Sequence, residues 1–161
     1  MNLIVVVDNK WGIGKNNALL FRLKKDMAFF KQTTTGKIVV MGANTFASLP
    51  HGALPNRVNI VLDDSGAKHE GATTVSSFAE LDVALGKYDS CDVFVIGGAS
   101  VYRQMLGRCH RAFVTKVAAD GGADVFFPNL DELQNWKLVA QNKTVDGDYE
   151  ISFCEYENTK N

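Results

Sequence analysis

The chain reads Val93-Phe94-Val95-Ile96-Gly97-Gly98-Ala99-Ser100 at the point where a short apolar run gives way to paired glycines and a helix start. A second junction, Val39-Val40-Met41-Gly42-Ala43-Asn44-Thr45, repeats this order with one glycine. Glycine lets a backbone approach a ligand closely, and the start of a helix offers free N–H groups to phosphates. In open α/β sheets, ligands bind at the carboxyl ends of strands. The two junctions therefore indicate either a dinucleotide site or two tight turns that simply require glycine.

Outward from these junctions, apolar runs and helix-like segments alternate along the chain. Continuous apolar runs of this length are typical of strands covered on both faces, as in a parallel sheet. They lie at Leu3–Val7, Lys37–Met41, Val58–Leu62 and Val93–Ile96. Helices are expected at about Leu23–Gln32, Thr45–Ser48, Phe78–Leu85 and Ser100–Leu106. The third has a capping-box pair, Ser77 and Glu80. This alternation predicts an α/β fold with a mostly parallel, doubly wound sheet.

The C-terminal part of the chain predicts antiparallel strands instead. Arg111–Val117 is a further strand, and Trp136–Gln141 and Tyr149–Tyr156 form an antiparallel pair joined by a turn around Asp146-Gly147-Asp148. Alternation in the last segment predicts that one face of its sheet is better covered than the other.

The composition is that of an ordinary globular domain, and it argues against several classes of protein. The 161 residues include 17 Lys and Arg against 18 Asp and Glu, a net charge of −1, so no basic stripe indicates nucleic-acid binding. No apolar run reaches the roughly 18 residues that span a membrane, and the first residues lack the basic region of a signal peptide. The three cysteines are widely spaced and predict neither a disulfide framework nor a metal site. A cytoplasmic protein is therefore expected.

One carboxylate lies on the apolar face of the first predicted helix. The residues that share this face by helical spacing are Leu23, Asp26, Met27 and Phe30. An acid in a buried stripe must find a partner or keep its proton, because burial penalises its charged form. Asp26 is therefore either a favourable acid in the first turn of the helix or the anchor for a planar, amidine-like ligand group.

Six motifs follow one another in an order that points to a known family. They are Trp11-Gly12-Ile13-Gly14 with Asn17-Ala18-Leu19-Leu20-Phe21; Leu23-x-x-Asp26-x-x-x-Phe30; Met41-Gly42-x-x-Thr45 with Ser48-Leu49-Pro50; Leu54-Pro55-x-Arg57; Ile96-Gly97-Gly98-x-x-Val101-Tyr102; and Asp124-x-x-Phe127-Pro128. The ordered set covers nearly the whole chain and resembles the bacterial dihydrofolate reductases of the chromosomal type.

The resemblance implies both a fold and an activity. The fold would be a single α/β domain over residues 1–161, with a mostly parallel mixed sheet of about eight strands and helices on both faces. The activity would be reduction of 7,8-dihydrofolate to 5,6,7,8-tetrahydrofolate with NADPH, which supports one-carbon and thymidylate metabolism. A cytoplasmic monomer that binds antifolate inhibitors would follow from the same resemblance.

On the substrate side, the resemblance implies that Asp26 grips the 2-amino-4-oxo edge of the pterin and that Thr115 orients Asp26. A water admitted by the loop Gly12–Phe21 would carry the proton, because the edge that Asp26 grips is remote from the reacting nitrogen. The implied catalytic residues are Asp26, Phe21 and Thr115. The other implied substrate residues are Val5, Val6, Phe30, Leu49, Leu54, Arg57 and Ile96, of which Arg57 would pair with the glutamate α-carboxylate. By composition alone, the apolar members are typical core residues and Arg57 is a solvated charge.

On the cofactor side, the resemblance implies a longer set of residues. They are Val6, Ile13, Gly14, Leu19, Gly42, Ala43, Asn44, Thr45, Leu62, Asp63, Asp64, Ile96, Gly97, Gly98, Ala99, Ser100, Val101 and Tyr102.

The chain departs from the family pattern where the adenosine 2′-phosphate is expected. Ala43, Asn44 and Ser100 stand at positions that are often basic, and Asp63-Asp64 replaces small hydroxyl or basic residues. Carboxylates repel a phosphate but accept hydrogen bonds from a free ribose hydroxyl. This pattern indicates a weaker preference for NADPH and some use of NADH. The alternative is a surface turn over Asp63–Gly66, with Lys68 or His69 supplying the missing positive charge.

Two other functions share part of the pattern. A pyrimidine reductase of riboflavin synthesis has the same general fold, but it would not need Asp26 and Arg57 together. A non-catalytic folate- or nucleotide-binding module is consistent with the altered cofactor pocket. The three histidines are scattered without ligand spacing, so no metal site is expected.

Overall fold

Eleven strands build the protein, which a computed structural model describes over residues 1–16 and 18–160. In chain order they are β1 (Asn2–Val7), β2 (Gly12–Lys15), β3 (Ala18–Leu19), β4 (Ile38–Gly42), β5 (Val58–Leu62), β6 (Thr73–Val75), β7 (Val93–Gly97), β8 (Arg111–Val117), β9 (Val125–Phe126), β10 (Trp136–Asp146) and β11 (Tyr149–Asn158). The four α-helices are α1 (Lys24–Thr34), α2 (Ala43–Ser48), α3 (Phe78–Leu85) and α4 (Ala99–Met105). Short 3₁₀ turns lie at Ser90–Asp92, Leu106–Arg108 and Leu130–Glu132.

The main sheet contains eight strands in the order β10-β11-β8-β1-β7-β4-β5-β6. Pairing is parallel from β8 across to β6, whereas the β8–β11 and β11–β10 pairs are antiparallel, so β11 alone runs against the other strands of this sheet. The predicted α/β class and mostly parallel sheet are therefore confirmed. Apolar side chains cover both faces of the central strands, as Leu3, Val40 and Val95 show at 1% exposure or less. Continuous apolar runs were the correct signal because neither face of these strands meets water.

A second, three-stranded sheet of β3, β2 and β9 lies apart from the main one. It joins the loop after β1 to the late segment around Asp124, whose carboxylate accepts a hydrogen bond from the Asn16 N–H at 3.1 Å. The buried carboxylate of Asp8 ties the same two segments, since it accepts from the N–H groups of Gly12 and Gly121 at 2.7 and 3.0 Å. Asn17, part of the predicted active-site loop, lies outside the described residues.

The element bounds differ from the sequence-based ones by a few residues, and the reasons are physical. Helix α1 extends two residues further, to Thr34, whose hydroxyl donates to the Phe30 carbonyl at 2.8 Å. The predicted cap of α3 is confirmed, because the Ser77 side chain accepts the Glu80 N–H, although Glu80 itself reaches the Ser76 N–H. The β10–β11 hairpin is longer than predicted and turns at Gly147, where φ is +60°.

One prediction about burial was wrong. Met27 is 55% exposed, because the inward stripe of α1 runs along Asp26, Phe29, Phe30, Thr33 and Thr34. The Phe29 ring packs against the rings of β8 and β11, which rotates Met27 to the edge of the stripe.

The two faces of strand β11 are unequally covered, as predicted: Cys154, Tyr156 and Asn158 are buried on one face and Ile151 on the other. Ile151 packs with Leu23 and Val117, whereas Cys154 and Tyr156 belong to the main core. Elsewhere, no helix in the described part of the chain is long and apolar enough to cross a membrane.

Candidate active site

The two glycine junctions of the sequence lie side by side at the carboxyl ends of β4 and β7, which are neighbours in the sheet. A Cβ atom on Gly97 or on Gly98 would lie 3.2 Å from the Thr45 hydroxyl oxygen, and one on Gly42 would lie 3.3 Å from Val101. Gly97 also has φ of +133°, which side-chain-bearing residues rarely adopt. The backbone of Gly97 therefore requires glycine, a side chain at Gly42 or Gly98 would be tightly packed, and the bare backbone leaves room above the strand ends.

These junctions line one large cleft of about 950 Å³. All eighteen residues that the sequence assigned to the cofactor line this cleft, from Val6 and Ile13 at one end to Asp63 and Asp64 at the other. The structure thus brings the whole predicted set together. We call this region the cofactor half of the site. The free backbone groups of the two junctions and the absence of side chains at the glycines fit a dinucleotide.

Sequence reasoning missed several residues that line the cleft. They are Lys15, Ala18, Ser48, Ser76, Ser77, Phe78, Gln104 and Val125. Ser76, Ser77 and Phe78 belong to a third strand-to-helix junction, between β6 and α3. Strand β6 has only three residues, Thr73–Val75, and its polar start hid it. The pair Ser77 and Glu80 was the one available signal, because a helix cap after a strand marks the same edge of the sheet.

The acids of the cofactor half do not behave alike. The Asp63 carboxylate accepts hydrogen bonds from the Ser65 N–H and hydroxyl at 3.0 and 2.6 Å, and it contacts His69 Nε2 at 2.8 Å. These contacts lower the pKa of Asp63, the Ser65 hydroxyl bond most of all. The predicted surface turn over Asp63–Gly66 is therefore present, closed by the Gly66 N–H on the Asp63 carbonyl at 3.2 Å. Asp64 is exposed and remains beside the cleft.

We define the substrate half of the site by Asp26, Phe30, Leu49, Leu54, Arg57 and Thr115. It adjoins the first half, because Thr115 aligns with Val6 of the cleft and Leu49 and Leu54 pack in the same cluster as Ile96. Asp26 accepts a hydrogen bond from the Thr115 hydroxyl at 2.7 Å, although the two residues are 89 positions apart. Thr115 lies on β8 and is 2% exposed, so its hydroxyl is fixed. The predicted pairing of Asp26 with Thr115 is present in the structure.

Burial raises the pKa of Asp26, and the negative charge of Asp146 raises it further, whereas the Thr115 hydrogen bond opposes both. A half-buried carboxyl group with a raised pKa in a mostly apolar setting is uncommon outside functional sites. The nearby Tyr102 is fully buried, and its phenol donates to the Ile4 carbonyl at 2.7 Å. Burial raises the pKa of Tyr102, so its side chain stays neutral.

Arg57 is held in place and is not a freely solvated charge. Its Nη1 donates to the Thr34 hydroxyl at 3.0 Å, and its Nε donates to the Pro55 carbonyl at 2.9 Å. The guanidinium carbon lies 6.0 Å from the centre of the Phe30 ring. Partial burial lowers the pKa of Arg57, which nevertheless stays cationic.

The loop that carries Arg57 is held by the side chain of Asn59, which the sequence analysis did not single out. The side chain of Asn59, 3% exposed, both accepts from the Leu54 N–H and donates to the Leu54 carbonyl at 2.9 Å. Leu49, Leu54 and Ile96 pack against one hydrophobic cluster around Met41. The predicted apolar wall and the loop that carries Arg57 are thus held together through Leu54 and Asn59.

Phe21 lies apart from these groups. Its ring packs edge-on against Tyr149 at 5.1 Å between centres and contacts the cluster of Leu23, Val117 and Ile151. It does not line the cofactor half, and an aromatic hydrocarbon has no proton to transfer. The structure therefore gives Phe21 a packing position at the end of the loop.

The fold and the cleft together define an α/β enzyme whose ligands lie over the ends of parallel strands. A family model described as dihydrofolate reductase matches residues 1–158. The dihydrofolate reductase of Bacillus subtilis (strain 168) is 37% identical over 98% of this chain and 94% of its own length. The enzyme of that name from Haemophilus influenzae is 34% identical over 96% of this chain and 86% of its own. The chain belongs to the dihydrofolate reductase family.

A solved structure agrees with this assignment. The dihydrofolate reductase of Enterococcus faecalis, complexed with NADP(H) and RAB-propyl, superposes with a TM-score of 0.87. It is 29% identical, and the match covers 98% of this chain and 95% of that one. The family resemblance seen in the ordered motifs is confirmed.

Proposed function

We propose that this chain reduces 7,8-dihydrofolate to 5,6,7,8-tetrahydrofolate by hydride transfer from NADPH. Support comes from relatives named for this activity and from a structural neighbour complexed with NADP(H). The observation that carries the proposal is Asp26, a half-buried carboxyl group with a raised pKa, bonded to Thr115 beside the cleft. The riboflavin-pathway reductase and the non-catalytic module are not favoured by the family match.

In this proposal the carboxylate of Asp26 binds the amino and ring N–H groups along one edge of the pterin through two hydrogen bonds. Thr115 fixes the rotation of that carboxylate, so both oxygens face the ligand. Phe30, Leu49 and Leu54 enclose the ring system and the aminobenzoyl group, and Arg57 binds the glutamate carboxylate. Val5, Val6 and Ile96 line the cofactor half. Because Val6 aligns with Thr115 and Ile96 packs in the same cluster as Leu49 and Leu54, these residues are proposed to contact the substrate as well.

When bound, the nicotinamide supplies the hydride, and the chain supplies position and charge. The backbone of Gly42, Gly97 and Gly98 and the first turns of α2 and α4 would hold the phosphates. Asp26 favours protonation of the substrate ring electrostatically, and a water delivers the proton, because the carboxylate grips an edge remote from the reacting nitrogen. Activity therefore falls as pH rises above the apparent pKa of the site.

We propose further that the preference for NADPH over NADH is weak. Ala43, Asn44 and Ser100 offer no positive charge, and Asp64 presents an exposed carboxylate to the same region. Asp63 carries less of this argument than its sequence position indicated, because Ser65 and His69 already occupy its oxygens. NADPH remains the expected principal cofactor.

One paired assay tests both proposals. Oxidation of NADPH and of NADH is followed by absorbance with dihydrofolate present, on the wild-type chain and on Asp26→Asn. Turnover by the wild type and its loss in Asp26→Asn support the reductase, whereas ligand binding without oxidation supports the module. A kcat/KM ratio favouring NADPH by about a thousandfold, about 4 kcal/mol, contradicts the weak preference.

We also propose that the protein is a cytoplasmic monomer that supports one-carbon and thymidylate metabolism and binds antifolates.

A further inference from the structure

The start of helix α1 is capped by a side chain from the other end of the chain. Leu23, the residue before the helix, makes no side-chain capping hydrogen bond. Instead, the carboxylate of Asp146 accepts a hydrogen bond from the Lys25 backbone N–H at 2.7 Å, across 121 positions. Asp146 is 7% exposed at the end of β10. A buried carboxylate at this point satisfies a free helix N–H and complements the positive end of the helix dipole.

A second contact ties the same residue to the β10–β11 hairpin. The Lys25 ammonium donates to the Val145 carbonyl at 2.6 Å and to the Thr144 hydroxyl at 3.1 Å. Both the backbone and the side chain of Lys25 are thus attached to the hairpin. The next residue in the helix is Asp26, so the hairpin fixes the turn from which the substrate carboxylate projects.

The charges around Asp26 come from several elements. Asp146 acts on it from β10 as a like charge, and the Thr115 hydroxyl acts on it from β8 as a donor. Tyr102 of α4 faces it as a neutral phenol. On its own helix, the Lys25 ammonium is held at the hairpin carbonyl of residue 145. Among these groups, Asp146 is the one whose negative charge opposes ionisation of Asp26.

We propose that Asp146 is a positioning residue for catalysis: it fixes the first turn of α1 through the Lys25 amide, and its charge acts on Asp26 at the same time. The proposal rests on the proposed function, in which Asp26 binds the pterin. It assigns to the hairpin a direct part in the substrate half of the site, although no hairpin residue lines the cleft in the described part of the chain.

Three variants separate the cap from the charge. Asp146→Asn keeps an oxygen that can accept the Lys25 N–H but removes the charge, whereas Asp146→Ala removes both. Asp148→Asn removes a neighbouring exposed charge of the same hairpin and is the matched control. For each variant, kcat and kcat/KM are measured with dihydrofolate and NADPH from about pH 5 to about pH 9, together with the Tm.

In Asp146→Asn we expect the alkaline fall in activity to move to lower pH by about half a unit, with the Tm nearly unchanged. In Asp146→Ala we expect the same shift, a lower Tm and a KM for dihydrofolate raised about fivefold, because the helix start is no longer held. Asp148→Asn should leave the pH profile in place. An unchanged profile in Asp146→Asn overturns the proposal, since a purely structural cap would give that result.

A readout without turnover distinguishes this proposal from the proposed function. The carboxyl carbon of Asp26, assigned by its loss in Asp26→Asn, is titrated by NMR in the free protein. We expect its midpoint to fall in Asp146→Asn and to stay in Asp148→Asn. If this shift occurs while the wild-type chain fails to oxidise NADPH with dihydrofolate, the coupling of Asp146 to Asp26 stands and the proposed function fails. An unmoved midpoint rejects the coupling whatever the activity.

Discussion

The substrate half of the site presents two charged side chains, Asp26 and Arg57, and each is held by a hydrogen bond from another element. Asp26 is fixed by Thr115, and Arg57 is fixed by Thr34 and its own loop. The cofactor half is lined by the glycine turns at the strand ends, and Ala43, Asn44 and Ser100 stand there where cations are expected around the adenosine 2′-phosphate. In the proposed function, the first half recognises its ligand by fixed charges and the second mainly by the shape of the cleft.

This contrast explains why changes should have unequal effects in the two halves. Removing a buried charged side chain, or its hydrogen-bond partner, costs a large part of the binding free energy. Few other groups lie near enough to replace the lost interaction. An exposed charge added to a backbone-built surface is screened by water and salt. We therefore expect large effects on the substrate half and small ones on the cofactor half.

The largest effect is expected for Asp26→Asn. The amide cannot supply the negative charge that favours substrate protonation, so kcat/KM for dihydrofolate should fall by about 10²- to 10⁴-fold at neutral pH. Steady-state kinetics measure this, and circular dichroism and NADPH binding confirm that the variant is folded. A loss of less than about fivefold would remove Asp26 from the mechanism.

The same variant, Asp26→Asn, is expected to stabilise the protein although it lowers its activity. Because burial raises the pKa of Asp26 above its ordinary value of 3.8, the folded chain binds this proton more tightly than the unfolded chain. Ionisation of Asp26 therefore lowers the free energy of unfolding as pH rises from 3.8 through the raised folded value. We expect Asp26→Asn to have the higher Tm at pH 7, with the gap closing towards about pH 4. Equal Tm values across this window would contradict the raised pKa.

The next effect in size is expected for Arg57→Gln. Loss of a guanidinium paired with a carboxylate costs about 1.5–3 kcal/mol, so the KM for dihydrofolate should rise about 10- to 100-fold while kcat changes little. A pterin substrate without the glutamate tail should show no such change, and Arg103→Gln, an exposed arginine of α4, is the control variant. An equal loss with both substrates would place Arg57 in the fold rather than the site.

A smaller effect is expected for Thr115→Val, which keeps the shape of the side chain. Its hydroxyl stabilises the charged form of Asp26, so its removal should raise the pKa of Asp26 and move the alkaline fall in activity upwards. The rate at neutral pH should fall by about fivefold, the worth of one hydrogen bond of about 1 kcal/mol. The shift opposes that expected for Asp146→Asn, and shifts of the same sign in both variants would refute the charge assignment.

The smallest effect is expected for Ala43→Arg on the cofactor half. An exposed cation contributes only about 0.2–1 kcal/mol, so the ratio of kcat/KM for NADPH over NADH should rise about two- to fivefold. Ala47→Arg adds the same charge one turn along α2, away from the cleft, and should leave the ratio in place. A hundredfold rise in this ratio for Ala43→Arg would show that the cofactor half also recognises its ligand by fixed charge.

The parts that sequence could predict have local causes. The glycine junctions were predictable because a Cβ at Gly97 or Gly98 would crowd Thr45 and because the strands beside them are apolar on both faces. All the predicted cofactor residues therefore fell in one cleft. The family resemblance added the pairing of Asp26 with Thr115, which composition alone would have left as an acid and a core polar residue.

The parts that sequence missed depend on contacts between distant segments. The cap on Lys25 comes from 121 positions away, and no local pattern marks Asp146 for it. Met27 was placed inside because helical spacing does not say where the stripe is centred, and Phe29 settled that through its contacts with β8 and β11. The third junction was missed because strand β6 is short and polar. It is a strand through its pairing with β5, a contact that no local sequence pattern reveals.

The position of β1 in the sheet has a consequence for how the chain folds. Its neighbours are β7 and β8, so Asn2 aligns with Phe94 on one side and Arg111 on the other. On the ribosome, β1 emerges long before either partner, and it exposes a nearly continuous apolar run until they arrive. Contacts between residues this distant in sequence favour slow folding, in milliseconds to seconds, and late pairing of β1 with β7 and β8. Nascent chains that end before Arg111 would lack both Thr115 and the strand β8 that covers β1, so they would be prone to aggregate and unable to orient Asp26.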